Sequence, residues 1–189
     1  MEGLIRYLLQ FGHFNQEQIN LIKAKAEERF LQKGAYFSEA GKIAKHIAFV
    51  QEGVLMISYY NNKGEEIVHH FVDENHFVVD LESFNHKMLS MIYIRAVTDC
   101  KLFSFTFDSL KELSEIIVDW DMIINKITIK TLLDKVNVAQ PKLNKDAKTR
   151  YLDFLKNFPN LANRIPLVYI ASYLGVTATS LSRIRKNIR

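Results

Sequence analysis

Apolar residues near the start of the chain recur every three or four positions, the spacing that predicts amphipathic helices. The first predicted helix ends near Leu9, and the second begins near Asn15 and runs to Phe30. Their apolar positions are Leu4, Ile5, Leu8 and Leu9, then Ile19, Ile22, Ala26 and Phe30. Asn15 followed three residues later by Gln18 is typical of a capping box, so the second helix is expected to begin there.

Beyond Ala35 the pattern changes to short stretches of β-branched and aromatic residues, which predict β-strands. The predicted strands are 47–50, 54–60, 67–72, 77–79, 92–97 and 102–105. Turn residues such as Gly53 and Gly64 separate them. Their short and regular spacing favours an all-β barrel or sandwich over alternating βαβ units.

A long helix is predicted over 108–140, where Pro141 ends it. Its apolar residues form two rows, Ile117, Trp120, Ile124 and Ile127 in one, and Met122, Ile129, Leu132, Leu133 and Val136 in the other. A helix that is apolar on two sides needs two partners. We therefore expect one row to cover the strands and the other to meet the same helix of a second copy. The alternative is a helix buried wholly within one chain.

Residues 165–186 fit a helix-turn-helix, in which two short helices meet at a sharp angle. Ala171 is small enough for the close contact between the helices, and Gly175 tolerates the positive φ of the turn. Thr177 is placed to cap the second helix. The shared core is expected to contain Ile170, Leu174, Val176, Leu181 and Ile184. The alternative is an ordinary helical hairpin.

With Leu181 and Ile184 facing inward, the 3.6-residue period places Ala178, Thr179, Ser182, Arg183 and Lys186 on the opposite side of the second helix. Arg183 is the predicted base reader, because its guanidinium can pair with O6 and N7 of a guanine. Phosphate contacts are predicted for the side chains of Thr177, Ser180, Arg185 and Lys186. The predicted DNA-binding set is therefore Thr177, Ala178, Thr179, Ser180, Ser182, Arg183, Arg185 and Lys186.

Charge is distributed unevenly along the 189 residues, although the net charge is only +4. Residues 142–189 carry ten Lys or Arg against two Asp or Glu, whereas residues 1–141 have a net charge of −4. A polycationic segment of this kind is typical of a surface that displaces counterions from nucleic-acid phosphates. A basic, solvated surface without a partner is the alternative.

The cysteine content and the lengths of the apolar runs indicate the compartment in which the protein works. Cys100 is the single cysteine, which excludes an intramolecular disulfide and a cysteine-only metal site, and we expect it to be a buried filler. The N-terminus is too short and too interrupted by charge for a signal peptide, and no apolar run is long enough to span a bilayer. The sequence therefore predicts a cytoplasmic protein with no membrane partner.

In this order of elements, the chain resembles the cyclic-AMP receptor protein and fumarate–nitrate regulator (Crp/Fnr) family, most specifically over residues 149–189. The resemblance implies an α+β fold with a β-roll sensor domain and N-terminal helices at 1–107, a dimerisation helix at 108–140 and a helix-turn-helix domain at 141–189. It implies a homodimer that binds two-fold-related double-stranded DNA. It also makes RNA polymerase a candidate partner.

The effector site departs from the family pattern. In the phosphate-binding cassette of the family, a Gly-Glu-Leu turn precedes an Arg followed by Ser or Thr, and the aligned residues here are Val79, Asp80, Leu81, Glu82, Ser90 and Met91. Ser90 stands where the Arg belongs, so a cyclic phosphate loses its bidentate partner. Asp80 and Glu82 would repel the phosphate, and Lys87 offers only a looser point charge. No cofactor is indicated, and cyclic AMP is not expected to be the effector.

Histidines on the strands suggest the alternative of a metal enzyme, since cupin enzymes bind metals inside a similar barrel. His69 and His70 are neighbours on one predicted strand and therefore point to opposite faces, which argues against a shared metal site. We expect a DNA-binding transcriptional regulator and no enzyme. The other function kept open is a β-roll small-molecule sensor whose basic tail binds a protein or an anionic surface.

Overall fold

The computed structural model describes residues 1–139 and 145–188, with side chains described through Asp134 and again from Lys145. The predicted junction at Pro141 lies outside these residues, as do Gln140, Arg189 and the side chain of Val136. By its internal contacts the chain divides into two compact units, Met1–Ile57 with Phe71–Ile129, and Ser58–His70 with Lys130–Arg189.

The described residues form eight helices and eight strands, an α+β fold as predicted. The helices are α1 (Glu2–Leu8), α2 (Gln16–Lys25), α3 (Leu81–His86), α4 (Phe107–Ile116), α5 (Trp120–Ala139), α6 (Ala147–Asn157), α7 (Leu167–Leu174) and α8 (Ala178–Ile188). The strands are β1 (Glu27–Leu31), β2 (Tyr36–Ser38), β3 (His46–Glu52), β4 (Leu55–Tyr60), β5 (Glu66–Val72), β6 (Phe77–Val78), β7 (Tyr93–Ala96) and β8 (Cys100–Thr106). Within the described ranges, no helix is both long and apolar enough to cross a membrane.

The strands form two four-stranded sheets, with the orders β1-β8-β3-β6 and β2-β7-β4-β5. β3 pairs antiparallel with β8, placing Phe49 opposite Phe103. All six predicted strands are present, and each bears apolar residues that enter the core between turn residues. The sequence left a barrel and a sandwich as alternatives. The described strands form two sheets and no single closed barrel.

The predicted second helix is wrong at its end. Asn15 accepts a hydrogen bond from the Gln18 amide (2.8 Å), and the capping box is complete, but α2 ends at Lys25. The following residues form β1, which pairs with β8 along its whole length. Phe30 was predicted on an apolar helix face and is instead largely exposed, with the Lys101 ammonium 5.3 Å from its ring centroid. Strand pairing with distant residues overrides the local helical spacing there.

The single helix predicted over 108–140 is two helices in the described part of that range, α4 and α5. Ile117, between them, has extended backbone (φ −99°, ψ 105°) and is buried. The run Ile116-Ile117-Val118 is β-branched, which weakens a helix at that point. Burying Ile117 in the core then favours a break over a continuous helix.

The core of the first unit joins α1 and α2 to the aromatic residues of β3 and β8 and to one side of α4 and α5. Tyr7 on α1 lies against Phe49, with ring centroids 5.5 Å apart. A second cluster fills the space between the strands and includes Cys100. Cys100 is buried as predicted, and burial raises the pKa of its thiol. A Cβ at Gly53, where φ is +101°, would lie 2.6 Å from the Cys100 sulfur, so this turn requires glycine.

Candidate nucleic-acid interface

The C-terminal helices share a small core of their own. Asp146 caps the start of α6, and its carboxylate accepts a hydrogen bond from the Thr149 amide (2.7 Å). Hydrogen bonds from the Thr149 amide and hydroxyl lower the pKa of Asp146. The buried residues of these helices and of the segment between α6 and α7 are Tyr151, Phe154, Leu161, Ile165, Ile170, Ala171, Tyr173, Leu174 and Leu181. This core positions α7 and α8.

Helix α7 ends in a Schellman motif at Gly175. Gly175 has φ +65° and ψ +39°, the left-handed conformation that the turn was predicted to need. Its amide donates to the Ser172 carbonyl (3.0 Å), and the Val176 amide donates to the Ala171 carbonyl (3.0 Å). A residue with a Cβ would be strained here by about 1–2 kcal/mol. The motif fixes the backbone at the start of the three-residue turn into α8 and thereby sets the direction of α8.

Helix α8 begins at the predicted cap. The Thr177 hydroxyl oxygen accepts a hydrogen bond from the Ser180 amide (3.1 Å) and donates to the Ser180 hydroxyl (2.9 Å). Of the predicted core residues, Ile170, Leu174 and Leu181 are buried, whereas Val176 and Ile184 are half-buried. The inward face of α8 is therefore held chiefly by Leu181.

The outer face of α8 carries the predicted DNA-binding residues. Side chains of Ala178, Thr179, Arg183 and Lys186 are exposed. Ser182 and Arg185 are half-buried, and Thr177 and Ser180 stand exposed at the start of the helix. The structure thus brings the whole predicted set onto one helix and its cap, with Arg183 on the open side. Their contacts with DNA stay a prediction.

Tyr173 ties α7 to α6 through aromatic contacts. Its ring centroid lies 5.8 Å from that of Phe154 and 6.2 Å from that of Phe158, and both contacts are edge-on. The side chain is buried, and this burial raises the pKa of Tyr173 to about 12. Folding therefore favours the neutral phenol, so any stability linked to it is present at pH values below about 10.

We expect the free energy of unfolding to fall as the pH rises from about 10 to about 12, because only the unfolded chain ionises Tyr173 in that window. The loss is roughly 2–3 kcal/mol in full. Tyr173→Phe should show a smaller difference between urea denaturation at about pH 9 and about pH 11.5 than the wild type. An identical difference in both proteins would show that Tyr173 does not carry this dependence.

Ser172, on α7, has partners that no sequence pattern could show. Its hydroxyl oxygen accepts a hydrogen bond from the Val68 amide (3.0 Å) and donates to the Glu66 carbonyl (3.1 Å). Residues 58–70 belong to the same compact unit as the C-terminal helices. A lone serine in a short helix carries no sequence signal for main-chain partners a hundred residues away.

Helix α5 has one buried and one open apolar row. Trp120 and Ile127 of the first row are buried in the core of the first unit, together with Ile117 just before the helix. The second row, as far as its side chains are described, is 49–57% exposed and consists of Met122, Ile129, Leu132 and Leu133. The alternative of a helix wholly buried within one chain does not describe α5. A row of four large apolar side chains is open to a partner.

The aligned cassette residues are used in the chain's own structure. Asp80 caps α3 by accepting a hydrogen bond from the Ser83 amide (3.2 Å). The Ser90 side chain is 4% exposed, and its hydroxyl donates to the Ile92 carbonyl (2.8 Å). Val79 is half-buried, and Leu81, Glu82 and Met91 are exposed, Met91 at 85%. Asp80 and Ser90 are thus bonded within their own loop, and an effector site at the six aligned residues stays a prediction.

Lys87, the one nearby cation that the sequence offered, lies 6.0 Å from the ring centroid of Phe107. Its backbone is left-handed (φ 54°) and ends α3. On β5, His69 is exposed and His70 half-buried. Among the residues that the structure describes, no three His, Cys, Asp or Glu side chains come together as metal ligands.

Part of the chain matches a known domain family. Residues 28–116 match the family model of the cyclic nucleotide-binding domain. No curated protein sequence matches the chain significantly.

Solved structures share its fold over most of the chain. CLP of Xanthomonas campestris, described as a c-di-GMP-responsive global regulator, is 18% identical, covers 92% of this chain and 91% of its own, and has a TM-score of 0.73. FixK2 from Bradyrhizobium japonicum is 16% identical, with coverages of 86% and 84% and a TM-score of 0.70. A protein from Eubacterium rectale, ascribed to the crp/fnr family of transcriptional regulators, is 18% identical, with coverages of 92% and 83% and a TM-score of 0.69. At these identities the likeness is one of fold.

Proposed function

We propose that this protein is a dimeric transcriptional regulator that binds double-stranded DNA. Its match to the cyclic nucleotide-binding domain and the fold that it shares with Crp/Fnr regulators support this role. The observation that carries the proposal is the outer face of α8. It presents Arg183 and Lys186 to solvent on a helix whose start is capped and whose direction is set by Gly175. A helix held in this way can enter the major groove, with Arg183 reading a guanine.

Charge supports the same role. Residues 142–189, which contain the helix-turn-helix, have a net charge of +8, whereas the rest of the chain has a net charge of −4. Arg185 and Lys186 lie near the end of α8, and Thr177 and Ser180 lie at its start, so both ends of the helix offer contacts to phosphates. Binding of this kind weakens steeply as salt is raised.

A homodimer is proposed from the open row on α5. Met122, Ile129, Leu132 and Leu133 repeat at spacings of three, four and seven, so two copies of α5 can pair along this row. A dimer would present two α8 helices to half-sites about 34 Å apart, one turn of the DNA helix. The dimerisation segment predicted at 108–140 would then be α5, with α4 outside the pairing.

Cyclic AMP is not proposed as the effector. The hydroxyl at the arginine position, Ser90, is buried and bonded to its own loop, and the residue after it, Met91, is apolar and exposed. No guanidinium is thereby offered at that position to a cyclic phosphate. We also propose that the protein is not an enzyme, in keeping with the regulatory roles of the proteins that share its fold.

The test is a selection of genomic DNA fragments by the purified full chain, with and without an extract of small molecules. We expect enrichment of a two-fold-symmetric sequence whose half-site centres are about 10 base pairs, or a multiple of that, apart. Binding without an enriched sequence, and equal binding to heparin, would instead favour the second function, a sensor whose basic tail holds a protein or anionic surface.

A further inference from the structure

Strand β5 is an edge strand of its sheet. Among the described strands, in the order β2-β7-β4-β5, it has a neighbour on the β4 side alone. Main-chain amides and carbonyls on the outer side of such a strand need other partners, and native proteins commonly cover the edge with a helix or loop. Val68 lies in the middle of β5 and is 4% exposed, so its amide has little access to water.

The Ser172 hydroxyl supplies those partners from α7. It accepts from the Val68 amide (3.0 Å) and donates to the Glu66 carbonyl (3.1 Å). An amide and the carbonyl two residues before it are the pair that one residue of a parallel neighbouring strand would engage. A single hydroxyl on a helix therefore occupies the position of a missing strand residue.

A second contact lies beside the first. His70, two residues beyond Val68, meets Phe158 edge-on at 6.3 Å between ring centroids. The Phe158 ring in turn packs against the rings of Phe154 and Tyr173, with centroid distances of 5.4 Å and 6.2 Å. Both belong to the core that holds α7. The segment 58–70 and the C-terminal helices form one compact unit. Ser172 and Phe158 thus contact every second residue along the same stretch of β5, Glu66, Val68 and His70.

We propose that β5 forms a joint with the C-terminal helices that fixes the orientation of α8. The joint is made by Ser172 on α7 with Glu66 and Val68, and by Phe158 at the end of α6 with His70. Ser172 lies three residues before Gly175, and the Schellman motif rigidly links it to α8. The joint leaves Arg183 exposed, so it holds α8 without covering its outer face. A displacement of β5 would then turn α8, which makes the joint a route for regulation. This inference rests on the proposed DNA-binding function.

Hydrogen exchange tests the joint without DNA. In Ser172→Ala, exchange of the Val68 amide should be about tenfold faster, because its hydrogen-bond acceptor is gone. The matched control is Ser58→Ala on the same hairpin, whose hydroxyl donates to the Glu66 carboxylate (2.8 Å) and not to α7. The control should leave exchange at Val68 unchanged. Equal exchange in wild type and Ser172→Ala would show that the joint does not exist in solution.

DNA binding tests the orienting role. For the sequence selected by the wild type, Ser172→Ala should bind about fivefold more weakly with an unchanged salt dependence, because its phosphate contacts are intact and only the preset orientation is lost. Ser58→Ala should bind as the wild type does. Faster exchange with unchanged affinity would overturn the orienting role. Failure of the wild type to select any DNA would contradict the proposed function, while the exchange result would still decide whether the joint forms.

Discussion

Arg183→Ala is expected to lower the affinity for the selected DNA by about 5- to 150-fold, the range that a bidentate arginine–guanine contact of about 1–3 kcal/mol represents. Arg183 is exposed on the outer face of α8, away from the buried Leu181, so the substitution should leave the fold intact. Titration by fluorescence anisotropy, against the selected sequence and a scrambled one, measures the loss. The difference between the two sequences should shrink together with the affinity.

Two matched variants separate base reading from charge. Arg183→Lys keeps the charge but loses the planar pair of donors, so its discrimination should fall nearly as far as that of the alanine variant. Lys186→Ala, on the same helix, should weaken binding to both sequences equally and lower the salt slope by about one. If Arg183→Ala weakens both sequences equally, Arg183 is a phosphate contact and another residue reads the bases.

Leu133→Glu is expected to convert the proposed dimer to a monomer. Leu133 is 57% exposed within the open row of α5, and pairing along that row would bury it in both copies. Loss of two buried leucines amounts to roughly 3–6 kcal/mol, and two facing carboxylates add repulsion, so the dissociation constant should rise at least about a hundredfold. Sedimentation velocity measures it over a range of concentrations.

Leu152→Glu is the matched control, because Leu152 is a comparably exposed leucine on a different helix, α6. It should leave the oligomeric state unchanged. DNA affinity should fall in Leu133→Glu, since a monomer engages one half-site and loses the advantage of binding both at once. A Leu133→Glu protein that sediments as the wild type does would rule out dimerisation through this row.

Local chemistry made much of the fold predictable. Runs of β-branched and aromatic residues between turn residues predicted six strands in their observed places. Asn15 and Thr177 act as the predicted helix caps, and Gly175 forms the predicted turn. The resemblance to Crp/Fnr regulators holds at the level of fold: residues 28–116 match the family model of the cyclic nucleotide-binding domain, and solved structures of such regulators share the fold. These features depend on residues close together in sequence.

What the sequence missed depends on distant residues. β1 lay hidden in an apparent helical spacing, because its partner strand begins about seventy residues later at Cys100. The break at Ile117 follows from the space available in the core. Asp80 and Ser90 are bonded within their own loop, and Ser172 bonds to the main chain of β5, an edge strand about a hundred residues earlier in the chain.

The burial of Cys100 has a practical consequence for observing α8. Its sulfur lies against the main-chain carbonyls of Thr98 (3.3 Å) and Val54 (3.5 Å), and the raised pKa keeps it a thiol at neutral pH. Thiol-directed dyes react with the thiolate at accessible sites. A cysteine introduced on the outer face of α8 therefore takes up a single fluorophore or spin label in the otherwise native chain, without prior replacement of Cys100.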